Sequence, residues 1–136
     1  MTTIEHIGTN NSRTGPALRC LAWTVPSAVV GTLIVWVVAR LGDVDLVVGS
    51  GAGARTVGWV SVAVVSALAA AAGTLLLALM ARLPRGRDWW TAVATGVLLL
   101  SLGGPLGAAN AAAVVTLAAM HVVVWVALVS TARRAC

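Results

Sequence analysis

Apolar residues in this chain run in long uninterrupted stretches, and the arginines and acidic residues gather in the short gaps between them. The first stretch lies between Arg19 and Arg40. About 20 residues at 1.5 Å each give ~30 Å, the hydrocarbon thickness of a bilayer. A membrane-spanning helix is therefore predicted over about residues 19–40, kinked at Pro26, because a helix starting only at Pro26 would reach ~21 Å and fall short. The second stretch, residues 57–81, holds no charge and is long enough to span with tilt. Beyond Asp88, residues 89–132 again carry no Arg, Asp or Glu, room for two helices of ~20 residues joined by a short turn. These are predicted at about residues 89–106 and 108–132.

The expected fold is all-α, an integral membrane four-helix bundle over residues 16–136. The polar residues 1–15 read as a disordered cytoplasmic tail, with His6 a solvated imidazole. A cleaved signal peptide has an apolar region of about 7–15 residues, shorter than the first run here, so the first helix is read as retained.

Composition agrees with that class. Hydrophobic residues make up 60% of the 136 and charged residues 10%, with a mean hydropathy of +0.98. A soluble domain carries roughly 45–50% and about 25%. The net charge of +5 comes entirely from arginine, and no arginine interrupts a long apolar run, so the charge reads as topology and no nucleic-acid partner is expected. Arg13, Arg19, Arg82, Arg85, Arg87, Arg133 and Arg134 fall on one side of the four spans, against Arg40 and Arg55 on the other. This bias predicts both termini inside, in a multi-pass protein of the cell's inner membrane. Arg82, Arg85, Arg87, Arg133 and Arg134 are thus topology signals and candidate contacts for lipid headgroups. The adjacent Trp89 and Trp90 are read as an indole pair at the interface, like Trp23 and Trp36 at the ends of the first span.

No cofactor or metal site is read. Asp43-x-Asp45 offers two carboxylates where calcium takes about 6–8 oxygens, so it reads as a solvated turn. Cys20 and Cys136 lack ligand spacing and are expected to be reduced bystanders.

Candidate chemistry concentrates between Ser101 and Trp125. Gly103, Gly104 and Pro105 interrupt the last uncharged run, and Pro105 cannot donate to the carbonyl of Ser101. The break is either a hairpin turn with close packing, favoured by Gly103-x-x-x-Gly107, or an intramembrane kink of the sort transporters use to bind substrates. His121 lies ~18 Å along the last helix from Arg133, near the bilayer centre, where an ionisable residue is a functional candidate. Asn110 and Trp125 share its helical face, and Thr116 does not. An imidazole at that depth serves as proton carrier, general base or metal ligand, or as a hydrogen-bonding link to a neighbouring helix. No carboxylate lies in any span to pair with it, which speaks against a proton-coupled exporter of the small multidrug type. Met120 points to another face and reads as packing.

Ser101-Leu-Gly-Gly-Pro-Leu-Gly followed by Met120-His121-Val-Val resembles the paired signature of an uncharacterised family of small actinobacterial four-helix membrane proteins, a domain of unknown function. Leu41-Gly-Asp-Val-Asp45-Leu and the Arg and Trp residues before the third span are similar too. The resemblance covers roughly residues 30–134 and departs at the end, where Val129-Ser-Thr-Ala-Arg-Arg replaces a Pro-Gly-Leu-Arg-like sequence. It implies the four-helix fold and no activity. The functional expectation is an accessory or interaction module in the lipid bilayer, as a homo-oligomer or with a membrane partner protein. Two rivals stand beside it. One is a small oligomeric transporter or channel using His121 and the Gly103–Pro105 break. The other is a membrane enzyme acting on a lipid or isoprenoid, with His121 as acid-base and Asn110 orienting the substrate. Whether the chain is an enzyme at all stays open.

Overall fold

The computed structural model describes residues 15–49, 51–108 and 110–134; the tail with His6 and Arg13, and also Cys136, lie outside them. Within these residues the chain forms α1 (Gly15–Leu41), β1 (Val47–Val48), β2 (Arg55–Thr56), α2 (Trp59–Met80), α3 (Gly86–Ser101) and α4 (Ala111–Arg134). A single 3-10 turn, Gly104–Gly107, joins α3 to α4. Four helical stretches, Leu18–Leu41, Trp59–Met80, Gly86–Leu106 and Ala111–Arg134, are long and apolar enough to cross a membrane. The all-helical class read from the charge gaps is the class observed. Their outer faces carry apolar side chains, such as Leu68, Leu99 and Leu100, with little of each residue covered by protein.

Helix α1 runs continuously through Pro26. Its buried hydroxyls are satisfied on the same helix: Thr24 donates to the Cys20 carbonyl at 2.8 Å and Thr32 to the Ala28 carbonyl at 2.9 Å. The Thr32 and Ser66 hydroxyls also lie 2.9 Å apart, joining α1 to α2. Thr32 donates across this link to the Ser66 oxygen, sharing one proton with the bond to Ala28. Such bonds between membrane helices contribute ~0.6 kcal/mol on average.

Small residues bring α1, α2 and α4 together. Ala28, Ala70 and Ala127 meet in one buried cluster. A β-carbon built at Gly31 would stand 2.6 Å from Val123 Cγ1, and one at Gly73 would stand 2.8 Å from Leu128 Cδ2. Where lipid supplies no hydrophobic drive, this close approach supplies the dispersion contacts that hold helices together.

At the arginine-bearing end, Cys20, Leu77, Trp90, Val129 and Ala132 form a second cluster. Cys20 is disulfide-bonded there, which overturns the expectation of a reduced thiol; the chain's other cysteine, Cys136, lies outside the described residues. Tryptophan also departs from expectation. Trp89 is exposed as an interfacial indole should be, but Trp90 is only 2% exposed and donates Nε1–H to the Gly73 carbonyl at 2.9 Å. It pins α3 to α2.

At the opposite end the segment after α1 folds back as a small hairpin. Val47 pairs with Thr56 and Val48 with Arg55, and Val48 bridges to Ala108. Leu46 is buried beneath it with Ala39, Val62 and Ala113. Trp36 donates Nε1–H to the Val57 carbonyl at 3.1 Å, while the Arg40 guanidinium lies 5.8 Å from the Trp36 ring centroid.

Candidate functional site

Helix α3 is joined to α2 near its start by Trp90, a large side chain seated against Gly73, and to α4 at its end by the Gly104–Gly107 turn. The space between α2, α3 and α4 is a cavity of about 700 Å³, and small side chains, Ser66, Ala69 and Ala72 on α2 and Ala94 and Ser101 on α3, face it among larger ones such as Val65, Val97, Leu98 and Val124. Its wall on α2 runs from Ser61 to Leu76. At 1.5 Å per residue that makes a slot of roughly 20 Å parallel to the helices. The slot opens sideways: Val65 and Val97 line it yet remain 64% and 59% exposed.

Its lining is almost wholly apolar and, among the described residues, contains no Arg, Asp, Glu or Cys. The polar groups present are largely satisfied within the protein. Ser101 donates to the Leu98 carbonyl at 2.8 Å, and Thr32 and Ser66 bond each other. Among the described residues, His121 is the one titratable side chain on the slot. Its Nδ1 lies 2.7 Å from the Leu117 carbonyl. A carbonyl only accepts, so in the neutral ring Nδ1 carries the proton and Nε2 the lone pair. No hydrogen bond among the described residues uses Nε2. Trp125, one turn beyond, also lines the slot, with its Nε1 enclosed and without a partner. Such an orphaned buried donor is uncommon and marks a place where local packing is not optimised for stability alone.

Of the residues singled out from the sequence, the structure brings Ser101 and His121 to one cavity. Asn110 is elsewhere. Its Oδ1 accepts the Ala113 backbone N–H at 2.7 Å, capping α4, and its Nδ2 donates to the Asp45 carbonyl at 3.3 Å, tying α4 to the hairpin. Gly103, Gly104 and Pro105 form the turn between α3 and α4, and the Pro105 carbonyl accepts from Ala108 at 2.9 Å. They do not line the slot. Asp43 closes the end of α1 in a left-handed conformation with φ 52°. Arg82, Arg85, Arg87, Arg133 and Arg134 are exposed at the far end, the last two in the final turn of α4, where the helix dipole favours cations. They too lie outside the slot.

The sequence of an uncharacterised family matches this chain from residue 12 to residue 136, nearly its whole length. The chain belongs to DUF6069, a family of unknown function. No curated protein and no solved structure matches it. For this DUF6069 chain, function is therefore argued from the slot itself.

Trp90 and the cavity it lines are what reading the sequence missed. The available signal was the face Trp90, Ala94, Val97 and Ser101, spaced by four, three and four residues, which carries one large and two small side chains along a single stripe of α3.

Proposed function

We propose that this chain is a multi-pass protein of the cell's inner membrane whose task is to take a lipid-soluble, chain-like molecule from the bilayer into the slot between α2, α3 and α4. The observation that carries the reading is the slot: about 700 Å³, elongated, apolar and open on a lateral face that hydrocarbon would surround. Its volume falls within the ~300–1,000 Å³ of small-molecule sites. Uptake of a lipid is favoured over a purely structural accessory role, since a packing module has no need of an open slot bordered by an unpartnered imidazole nitrogen. Binding is favoured over catalysis because no second acid or base lines the slot beside His121. The transporter alternative needs His121 and the Gly103–Pro105 segment in one site, and the two are apart.

Ala69 lies on the slot wall and is not part of any buried cluster, so a bulky side chain there fills the cavity without disturbing a core. In nanodiscs containing a hexadecyl chain with a photoactivatable diazirine, Ala69→Trp is expected to lower labelling of slot residues about tenfold, ~1.4 kcal/mol of binding. Labelling of the outward Leu68 and Leu99 should stay as it was. Equal labelling of the slot in both proteins would contradict uptake there.

The same reading places the arginine-rich end in the cytoplasm. Among the described residues that end carries Arg19, Arg82, Arg85, Arg87, Arg133 and Arg134 with Asp88, whereas the other carries Arg40 and Arg55 with Asp43 and Asp45. The disulfide at Cys20 points the other way, because such bonds persist in oxidising compartments. Charge bias acts while the helices insert, whereas a thiol can be oxidised or reduced afterwards, so orientation is read from the arginines. A fluorescent protein fused after residue 136 is then expected to glow and a periplasmic phosphatase in its place to stay inactive; the reverse pair of results would invert the topology.

A further inference from the structure

The slot carries a second piece of information, in which polar atoms it leaves unsatisfied. We infer that its occupant is a neutral lipid bearing a hydroxyl group, and that this hydroxyl donates to Nε2 of His121. The inference rests on the slot taking up a lipid-soluble molecule at all.

Charge is the first discriminator. A carboxylate or phosphate drawn into an apolar slot needs a cation beside it, and none lines this one among the described residues; an ammonium would need an anion, and among the same residues there is none of those either. Charged headgroups therefore stay at the membrane surface and the part of the ligand reaching His121 is neutral. Hydrogen-bond direction is the second discriminator. The Ser101 proton is committed to the Leu98 carbonyl, and the Thr32 proton is shared between the Ala28 carbonyl and the Ser66 oxygen. The Trp125 donor is enclosed. The Ser61 and Ser66 hydroxyls on the lining rotate to donate or accept, so the group fixed in its role is an acceptor, the Nε2 lone pair, because Nδ1 spends its proton on the Leu117 carbonyl. Ketones, esters and ethers only accept, so they would leave Nε2 unpaired in an apolar setting. A hydroxyl donates to it and needs nothing in return. The position along the chain fits as well, since His121 sits in the interior of α4, between Ala111 and Arg134, so a hydroxyl bonded there lies within the slot and its alkyl chain extends along the apolar lining.

The test uses the full chain in nanodiscs with the diazirine hexadecyl probe and two competitors of equal length, 1-hexadecanol and its methyl ether. The alcohol is expected to displace the probe from the slot at about tenfold lower concentration than the ether. His121→Phe should bring the two competitors within twofold of each other while leaving competition by the ether unchanged. On the wild-type chain, the ¹⁵N resonance of His121 Nε2 should move on addition of the alcohol and not of the ether, a response that a packing role would not produce and that needs no variant to fold. Equal competition by alcohol and ether on the wild type, or an unmoved Nε2 resonance, would overturn the hydroxyl assignment and leave lipid uptake standing. Failure of the slot to take up the probe itself would overturn uptake, and the assignment with it.

Discussion

Gly86→Ala is expected to destabilise the protein by about 2 kcal/mol or more, against the usual sign for that substitution. In an exposed helix interior, alanine is favoured over glycine by ~1 kcal/mol. Gly86 opens α3 immediately after the turn from α2, and a β-carbon built there collides with the Met80 carbonyl. That neighbour is backbone, held by the Leu83 N–H at 2.9 Å, so it cannot swing aside as a side chain would. Overpacking costs ~1–3 kcal/mol and sometimes more, which exceeds the propensity gain. Gly96, in the same helix, is the control: nothing lies within 4 Å of its β-carbon position. Gly96→Ala should be neutral to slightly stabilising. Unfolding in detergent micelles, followed by far-ultraviolet circular dichroism, reads both, and equal shifts for the two variants would show that the close approach at Met80 does not set the turn.

Trp90→Ala should cost more still, about 3 kcal/mol, at the lower end of the ~3–5 kcal/mol typical for removing a buried tryptophan because lipid can enter part of the void. The indole is the largest side chain among those fully buried, and it touches the cluster that joins α1, α2 and α4 to α3. Trp90→Phe keeps most of that contact and gives up only the bond to the Gly73 carbonyl, which the helical ladder of α2 also supplies with a donor. Its cost should be ~1 kcal/mol. Hydrogen exchange on the Trp90→Ala chain should be faster throughout α3 and unchanged in the centre of α1. Uniform acceleration across all four helices would mean that Trp90 holds the whole fold, not the attachment of α3.

The four long apolar helices could be read from the sequence because the arginines and carboxylates fall in the gaps between the apolar runs, and the gaps survive in the structure as the ends of the helices. The place of His121 in the interior of the last helix was legible for the same reason. Asn110 could have been read better: an asparagine directly before an uninterrupted apolar helix is an N-cap signature, and capping α4 is what it does. The hairpin over Leu46 was not legible, since Val47–Val48 and Arg55–Thr56 are too short to show a period. The cavity was legible only as far as the stripe Trp90, Ala94, Val97 and Ser101 on α3. Its size depends on how far α3 stands from α2, and no pattern along a single segment encodes that distance. The state of Cys20 likewise depends on a partner brought near in space.

The most direct measurement is a diffraction experiment on crystals grown in a lipid phase with hexadecanol brominated at mid-chain. Anomalous scattering should place bromine inside the slot, between Val65 on α2 and Val97 on α3, with the hydroxyl within hydrogen-bonding distance of His121 Nε2. Bromine found only against outward residues such as Leu68 and Leu100, with α3 closed onto α2 and the slot filled by side chains, would contradict the account.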